Sequence, residues 1–248
     1  MNIIVFIFGI IIGGFLNLCI YKIPKGESII YPSFYCEKCG VSIQASNLIS
    51  VIGYIFLKGK CKCCKNKIFL RNLLIELLVG VLFIYIYNIF GLSFNFIKYI
   101  IFISFIIVIG FIDLDTTNVY SKTTISAMTV AVICILIEKF YFGYNVKTYI
   151  YAVLLCSIII GIIIFTTKGM GNGDLDIYLV VSLFLGFKIT AMTIFLSFIF
   201  GSIIGIILII LKIKNRKDYI SFGPFIAAAS IICILIGDKI FLLYISFI

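Results

Sequence analysis

Apolar residues in this chain come in long runs separated by short polar segments. A helix needs about 20 mostly apolar residues to cross a bilayer. Stretches near that length run over Ile3–Tyr21, Leu73–Phe90, Phe96–Ile112, Thr123–Ile137, Tyr149–Phe165, Ile177–Phe187, Ile189–Leu211 and Pro224–Phe247, the sixth being short. Inside lipid a segment must satisfy its own backbone polar groups, so each run predicts a helix. The pattern therefore predicts an all-α polytopic membrane protein with about eight transmembrane helices. The first run has neither a basic start nor a small-residue cleavage site, so it reads as a retained helix. The longest polar stretch, Lys22–Arg71, predicts a substantial loop after that first helix.

Composition agrees: 63% of residues are hydrophobic, 12% are charged and the mean hydropathy is +1.28, which excludes an ordinary soluble domain. Charge then assigns sides. With eight spans, one side receives nine Lys and Arg between Lys22 and Arg71, then Lys122, Lys168 and four more from Lys212 to Lys217. The other side receives five: Lys98, Lys139, Lys147, Lys188 and Lys239. Basic residues stay in the cytoplasm, so both termini are predicted to face outward from the cytoplasmic membrane. The net charge of +10 follows from this topology and implies contact with the lipid bilayer, not with nucleic acid.

The loop after the first span carries Cys36-Glu37-Lys38-Cys39 and Cys61-Lys62-Cys63-Cys64. Two C-x-x-C pairs at this separation fit a tetrahedral four-cysteine zinc site, here Cys36, Cys39, Cys61 and Cys64. Nearby lysines favour the thiolates. Two disulfides are the weaker reading in a reducing cytoplasm. Four thiolates close the coordination sphere, so Zn2+ would be structural in a cytosolic zinc-knuckle-like loop. Cys19, Cys134, Cys156 and Cys233 fall in apolar runs and read as buried small hydrophobes.

The chain has no histidine, and its ten acidic residues include two D-x-D pairs, Asp113 with Asp115 and Asp174 with Asp176. The predicted topology sets both pairs on the cytoplasmic side. Asp174 ends the run Gly169-Met170-Gly171-Asn172-Gly173-Asp174, where glycine marks a bend or a close approach. An acid beside lipid is a functional-site hypothesis by default. Two carboxylates brought together cannot both ionise easily, so one keeps a proton while the other acts as base, the arrangement of an aspartic protease. The competing readings are helix caps and cation coordination.

Gly171-Asn172-Gly173-Asp174 is the G-x-G-D motif of intramembrane aspartic proteases, and the chain as a whole resembles the prepilin peptidases, or type IV leader peptidases. Gly14-Phe15-Leu16-Asn17 through Tyr21-Lys22-Ile23-Pro24 resembles that family's opening block. Pro32-Ser33 before Cys36, Leu57-Lys58-Gly59-Lys60-Cys61, and Arg71 with Glu76 match further blocks. Phe111-Ile112-Asp113-Leu114-Asp115 matches F-I-D-x-D, and Phe222-Gly223-Pro224-Phe225 matches the motif opening the last span. The resemblance implies a catalytic pair, Asp113 and Asp174, with Asp115, Asp176, Gly171 and Gly173 in support. It implies cleavage of the basic leader of type IV prepilins and pseudopilins at the cytoplasmic face, after glycine and before a hydrophobic residue. It also implies methylation of the new amino terminus from S-adenosylmethionine, with Asn17, Glu27, Arg71 and Glu76 as candidate donor-site residues. The expected division is residues 1–92, carrying the cysteine loop and the methyltransferase part, and residues 93–248, a six-helix peptidase domain.

Two departures stand out. Tyr120-Ser121 replace a family proline dipeptide, which predicts a looser turn after the third span. Asp176 stands where relatives commonly have lysine, which predicts a different pH dependence. Gly201-Ser202-Ile203-Ile204-Gly205, and Gly9, Gly13 and Gly14 in the first span, predict close helix packing. A peptidase without methyl transfer is the nearest alternative. A cation transporter would need acids at mid-membrane depth, and a scaffold with a zinc loop leaves the G-x-G-D run unexplained.

Overall fold

The computed structural model describes residues 1–29, 70–167, 170–215 and 220–246. Among these residues the fold is entirely helical: α1 Asn2–Lys22, α2 Leu70–Phe90, α3 Phe94–Thr116, α4 Ser121–Phe142, α5 Lys147–Thr167, α6 Asn172–Ile210 and α7 Gly223–Ser246. Six of the seven, α1 to α6, are long and apolar enough to cross a membrane, and the protein is a multi-pass membrane protein. The chain divides into two compact units, Met1–Ile100 and Ile101–Ile248.

In the first unit α1 packs on α2 through glycine. A Cβ on Gly9 would lie 2.7 Å from Gly80 Cα, and one on Gly13 would lie 2.8 Å from Glu76 Cα. Gly9 and Gly13 of the first span thus serve backbone-to-backbone contact, as their clustering predicts. Gly201 behaves differently. Its missing side chain makes room for the Phe222 ring, 2.6 Å from the Cβ position, so this small face receives an aromatic side chain from the segment entering α7.

In the second unit the decisive element is α6. Its 39 residues contain one non-helical position, Gly186, at φ 70° and ψ −176°. A straight helix would separate Tyr178 from Ser197 by about 28 Å. Their side-chain oxygens are instead 2.5 Å apart. The helix therefore folds back on itself at Gly186, with a first arm from Asn172 and a second arm running to Ile210. Left-handed backbone is cheap only for glycine, which accounts for the break. The predicted runs Ile177–Phe187 and Ile189–Leu211 fall on these two arms. The eight apolar stretches thus fall on seven helices among the described residues.

The turn between α3 and α4 lacks the family proline yet is tied down. Thr116 Oγ1 donates to Ile112 O at 2.8 Å, and Thr117 N donates to Asp113 O at 2.8 Å. Tyr120 then caps α4, its carbonyl accepting from Thr123 N and Thr123 Oγ1.

Candidate active site

Asp113 and Asp174 come from different helices to one end of the second unit. Asp113 lies in the last turn of α3, which extends past the predicted boundary at Ile112. Asp174 lies in the first turn of α6, since that helix starts at Asn172 and not at Ile177. Both are buried, 2% and 3% exposed, and near enough for their charges to act on each other.

Each carboxylate is held by a backbone N–H. Gly223 N donates to Asp113 Oδ2 at 2.8 Å, and Gly171 N donates to Asp174 Oδ2 at 3.0 Å. Asp174 N returns a bond to Gly171 O at 3.1 Å, which closes the entry to α6. The capping role is thus real for Asp174 and coexists with its nearness to Asp113. Gly223 is the first residue of α7, so the starts of α6 and α7 both face the acids. Each helix N-terminus carries partial positive charge at the carboxylate it binds.

Glycine makes the approach possible. A Cβ on Gly223 would sit 2.6 Å from Asp113 Oδ2, and one on Gly173 would sit 2.7 Å from Val119 Cβ. Val119, between α3 and α4, presses the turn after Asp113 against the start of α6. Further down the bundle, Gly110 allows α3 to meet Ala227 of α7, where a Cβ would lie 3.0 Å from the alanine methyl.

The other predicted residues are distributed unevenly. Asp115 is exposed and Asp176 is half-buried. In the first unit Asn17 and Glu76 meet: Asn17 Nδ2 donates to Asn72 O at 2.9 Å and to Glu76 Oε1 at 3.4 Å. Glu76 is completely buried, whereas Glu27 and Arg71 are exposed. The four candidate zinc ligands Cys36, Cys39, Cys61 and Cys64 lie outside the described residues. Among the described residues no cluster of three acids or cysteines is placed to hold a metal ion. Cys19, Cys134, Cys156 and Cys233 are buried free thiols, as their apolar runs predict.

Comparison with known proteins fits this arrangement. The bacterial peptidase A24 N-terminal domain matches residues 7–90, and the type IV leader peptidase family matches residues 100–206. The prepilin leader peptidase/N-methyltransferase of Bacillus subtilis (strain 168) is 30% identical over 98% of this chain and 97% of its own length. The chain belongs to the prepilin leader peptidase family. Proteins of the same description from Neisseria gonorrhoeae and Legionella pneumophila are 28% and 25% identical, over 94% and 100% of this chain and 90% and 95% of their own lengths. No solved structure matches.

Within this prepilin peptidase family member, sequence reasoning missed four residues that shape the site: Gly223, Val119, Tyr178 and Ser197. Gly223 stood in a quoted motif but gave no hint that its N–H binds Asp113. Tyr178 lies one helical turn beyond Asp174, and its hydroxyl ties the two arms of α6 together. The D-x-D spacing pointed to Asp176 and away from this tyrosine.

Proposed function

We propose that this protein cleaves the leader of type IV prepilins or pseudopilins with Asp113 and Asp174 as a catalytic dyad. The observation that carries this reading is that two buried carboxylates from α3 and α6, near enough for their charges to interact, are each held through one oxygen by a backbone N–H. One carboxylate takes a proton from a water, which attacks the scissile carbonyl; the other, protonated, donates to the leaving amine as the C–N bond breaks. The backbone N–H donors fix both groups, so orientation does not have to be found during the reaction.

The eight apolar segments, the two arms of α6 included, each cross the cytoplasmic membrane, with both termini outside and the dyad in the cytoplasmic half. Gly186 and Lys188 then lie at the outer interface.

The first unit is assigned to N-methylation. S-adenosylmethionine would supply an electrophilic methyl group to the new amino terminus. A buried carboxylate suits a cationic group, and among the described residues of the first unit Glu76, oriented by Asn17, fits. Exposed Glu27 and Arg71 fit an enclosed donor site less well. Zn2+ on Cys36, Cys39, Cys61 and Cys64 would hold the loop by its thiolates, a structural task.

The test is purified enzyme with a prepilin and labelled S-adenosylmethionine. Asp113→Asn and Asp174→Asn should each abolish cleavage, and persistent cleavage in either overturns the dyad. Glu76→Gln should reduce methylation of a pre-cleaved pilin while cleavage continues. Replacing the four cysteines by serine should remove bound zinc and lower the protein level.

A further inference from the structure

An apolar groove of about 450 Å³ lies between α5 and the second arm of α6, lined by Leu155, Ile159 and Ile163 on one side and Ala191, Phe195 and Phe198 on the other. Such a volume is in the range of pockets that bind ligands. Three features tie it to the dyad. First, its two walls run in the same direction. Both begin near Gly186, where the Tyr149 ring of α5 lies 3.6 Å from the Cβ position, and both proceed toward the end that carries the acids. Second, the hairpin sets a register. The Tyr178–Ser197 bond sets Ser197, next to Phe198, at the level of Tyr178, one helical turn from Asp174. The groove therefore runs about 10 Å from Ala191 toward the acids and ends one helical turn short of Asp174. Third, its upper wall continues into the site. The Phe198 ring packs on Phe222 with centroids 5.3 Å apart, and Phe222 directly precedes Gly223, whose N–H holds Asp113.

We propose that this groove is a substrate subsite that takes the apolar segment following the scissile bond, about two helical turns of it. The assignment rests on the dyad proposed above. The groove is apolar throughout, so it selects for hydrophobic side chains and gives a charged leader no partner. Its register brings the residue at the start of that segment to within one helical turn of the acids. Phe195 is 70% exposed on the lip, where an entering segment would displace lipid.

The experiment compares two substrates on each variant: a prepilin with its whole apolar segment, and a peptide cut short a few residues beyond the junction. Ala191→Phe places a ring in the groove. It should lower the ratio of kcat/KM on the prepilin to that on the short peptide about tenfold. An unchanged ratio overturns the subsite and leaves a lipid chain as the occupant. If Ala191→Phe accumulates poorly, disulfide trapping gives an independent answer. Phe195→Cys in an Asp174→Asn background, with single cysteines along the prepilin's apolar segment, should capture the substrate at one or two neighbouring positions. Capture nowhere along the segment overturns the proposal. Failure of the dyad would appear separately, as cleavage by Asp174→Asn itself.

Discussion

Replacing Gly223 by alanine isolates what the backbone does for Asp113. Gly223 does not adopt a left-handed conformation, so alanine fits its backbone. It does not fit the neighbour. The new methyl would lie 2.6 Å from Asp113 Oδ2, 3.0 Å from its Cβ and 3.1 Å from its Cγ. Asp113 must swing away and give up the 2.8 Å bond from Gly223 N. A hydrogen bond to a charged group contributes about 1.5–3 kcal/mol. At ~1.4 kcal/mol per decade this corresponds to roughly 10- to 150-fold in rate. A displacement of about 1 Å alone can cost on the order of 100-fold. Both routes give a fall in kcat of roughly 10- to 100-fold, with KM for a prepilin changing by less than about threefold. The assay is initial-rate cleavage in detergent, with thermal unfolding as a control. Gly110→Ala provides the comparison, because its methyl would press on Ala227 at the same α3–α7 contact without touching the carboxylate. It should lower stability more than kcat. A Gly223→Ala enzyme with kcat within about twofold of the parent would refute the reasoning.

Three further outcomes follow from the same geometry. Gly173→Ala drives a methyl to 2.7 Å from Val119 Cβ, so activity should fall, and Val119→Ala should restore a measurable part of it in the double variant. Tyr178→Phe removes the hydroxyl bonded to Ser197 and should destabilise the protein by about 1 kcal/mol, with less than additive loss when combined with Ser197→Ala. Thermal unfolding of the four proteins measures both. Asp176→Lys puts a cation two residues from Asp174, which favours a carboxylate there; the acid limb of the pH–rate profile should move to lower pH, and an unmoved limb would show that Asp176 does not communicate with the dyad.

Hydropathy made the helices legible because lipid allows a spanning segment few other solutions. It also separated the two arms of α6, since Lys188 interrupts the apolar run there. What it could not give was the direction of the second arm relative to α5, which depends on one glycine at φ 70°. The boundaries at Ile112 and Ile177 were placed too tightly for a similar reason. Asp113, Asp115, Asp174 and Asp176 look like breaks in a hydrophobic run, yet hydrogen bonding carries the helices through them. The carboxylates themselves were readable, because acids next to lipid are rare enough to notice. Their holders were not, because a backbone N–H leaves no trace in residue type.

The glycines around the site show what such a run encodes. Gly171, Gly173 and Gly223 all lie outside the positive-φ region, so none of them is required by backbone conformation. Gly171 presents its N–H to Asp174, Gly173 yields space to Val119, and Gly223 does both for Asp113. Space and donors at these positions let α3, α6 and α7 bring two buried acids to one end of the second unit. A side chain at Gly173 or Gly223 would separate those helix ends by the width of a methyl group. The dyad therefore depends on what these positions lack as much as on the acids, and substitutions at glycine should follow the distance from the missing Cβ to its neighbour more closely than any change in helix propensity.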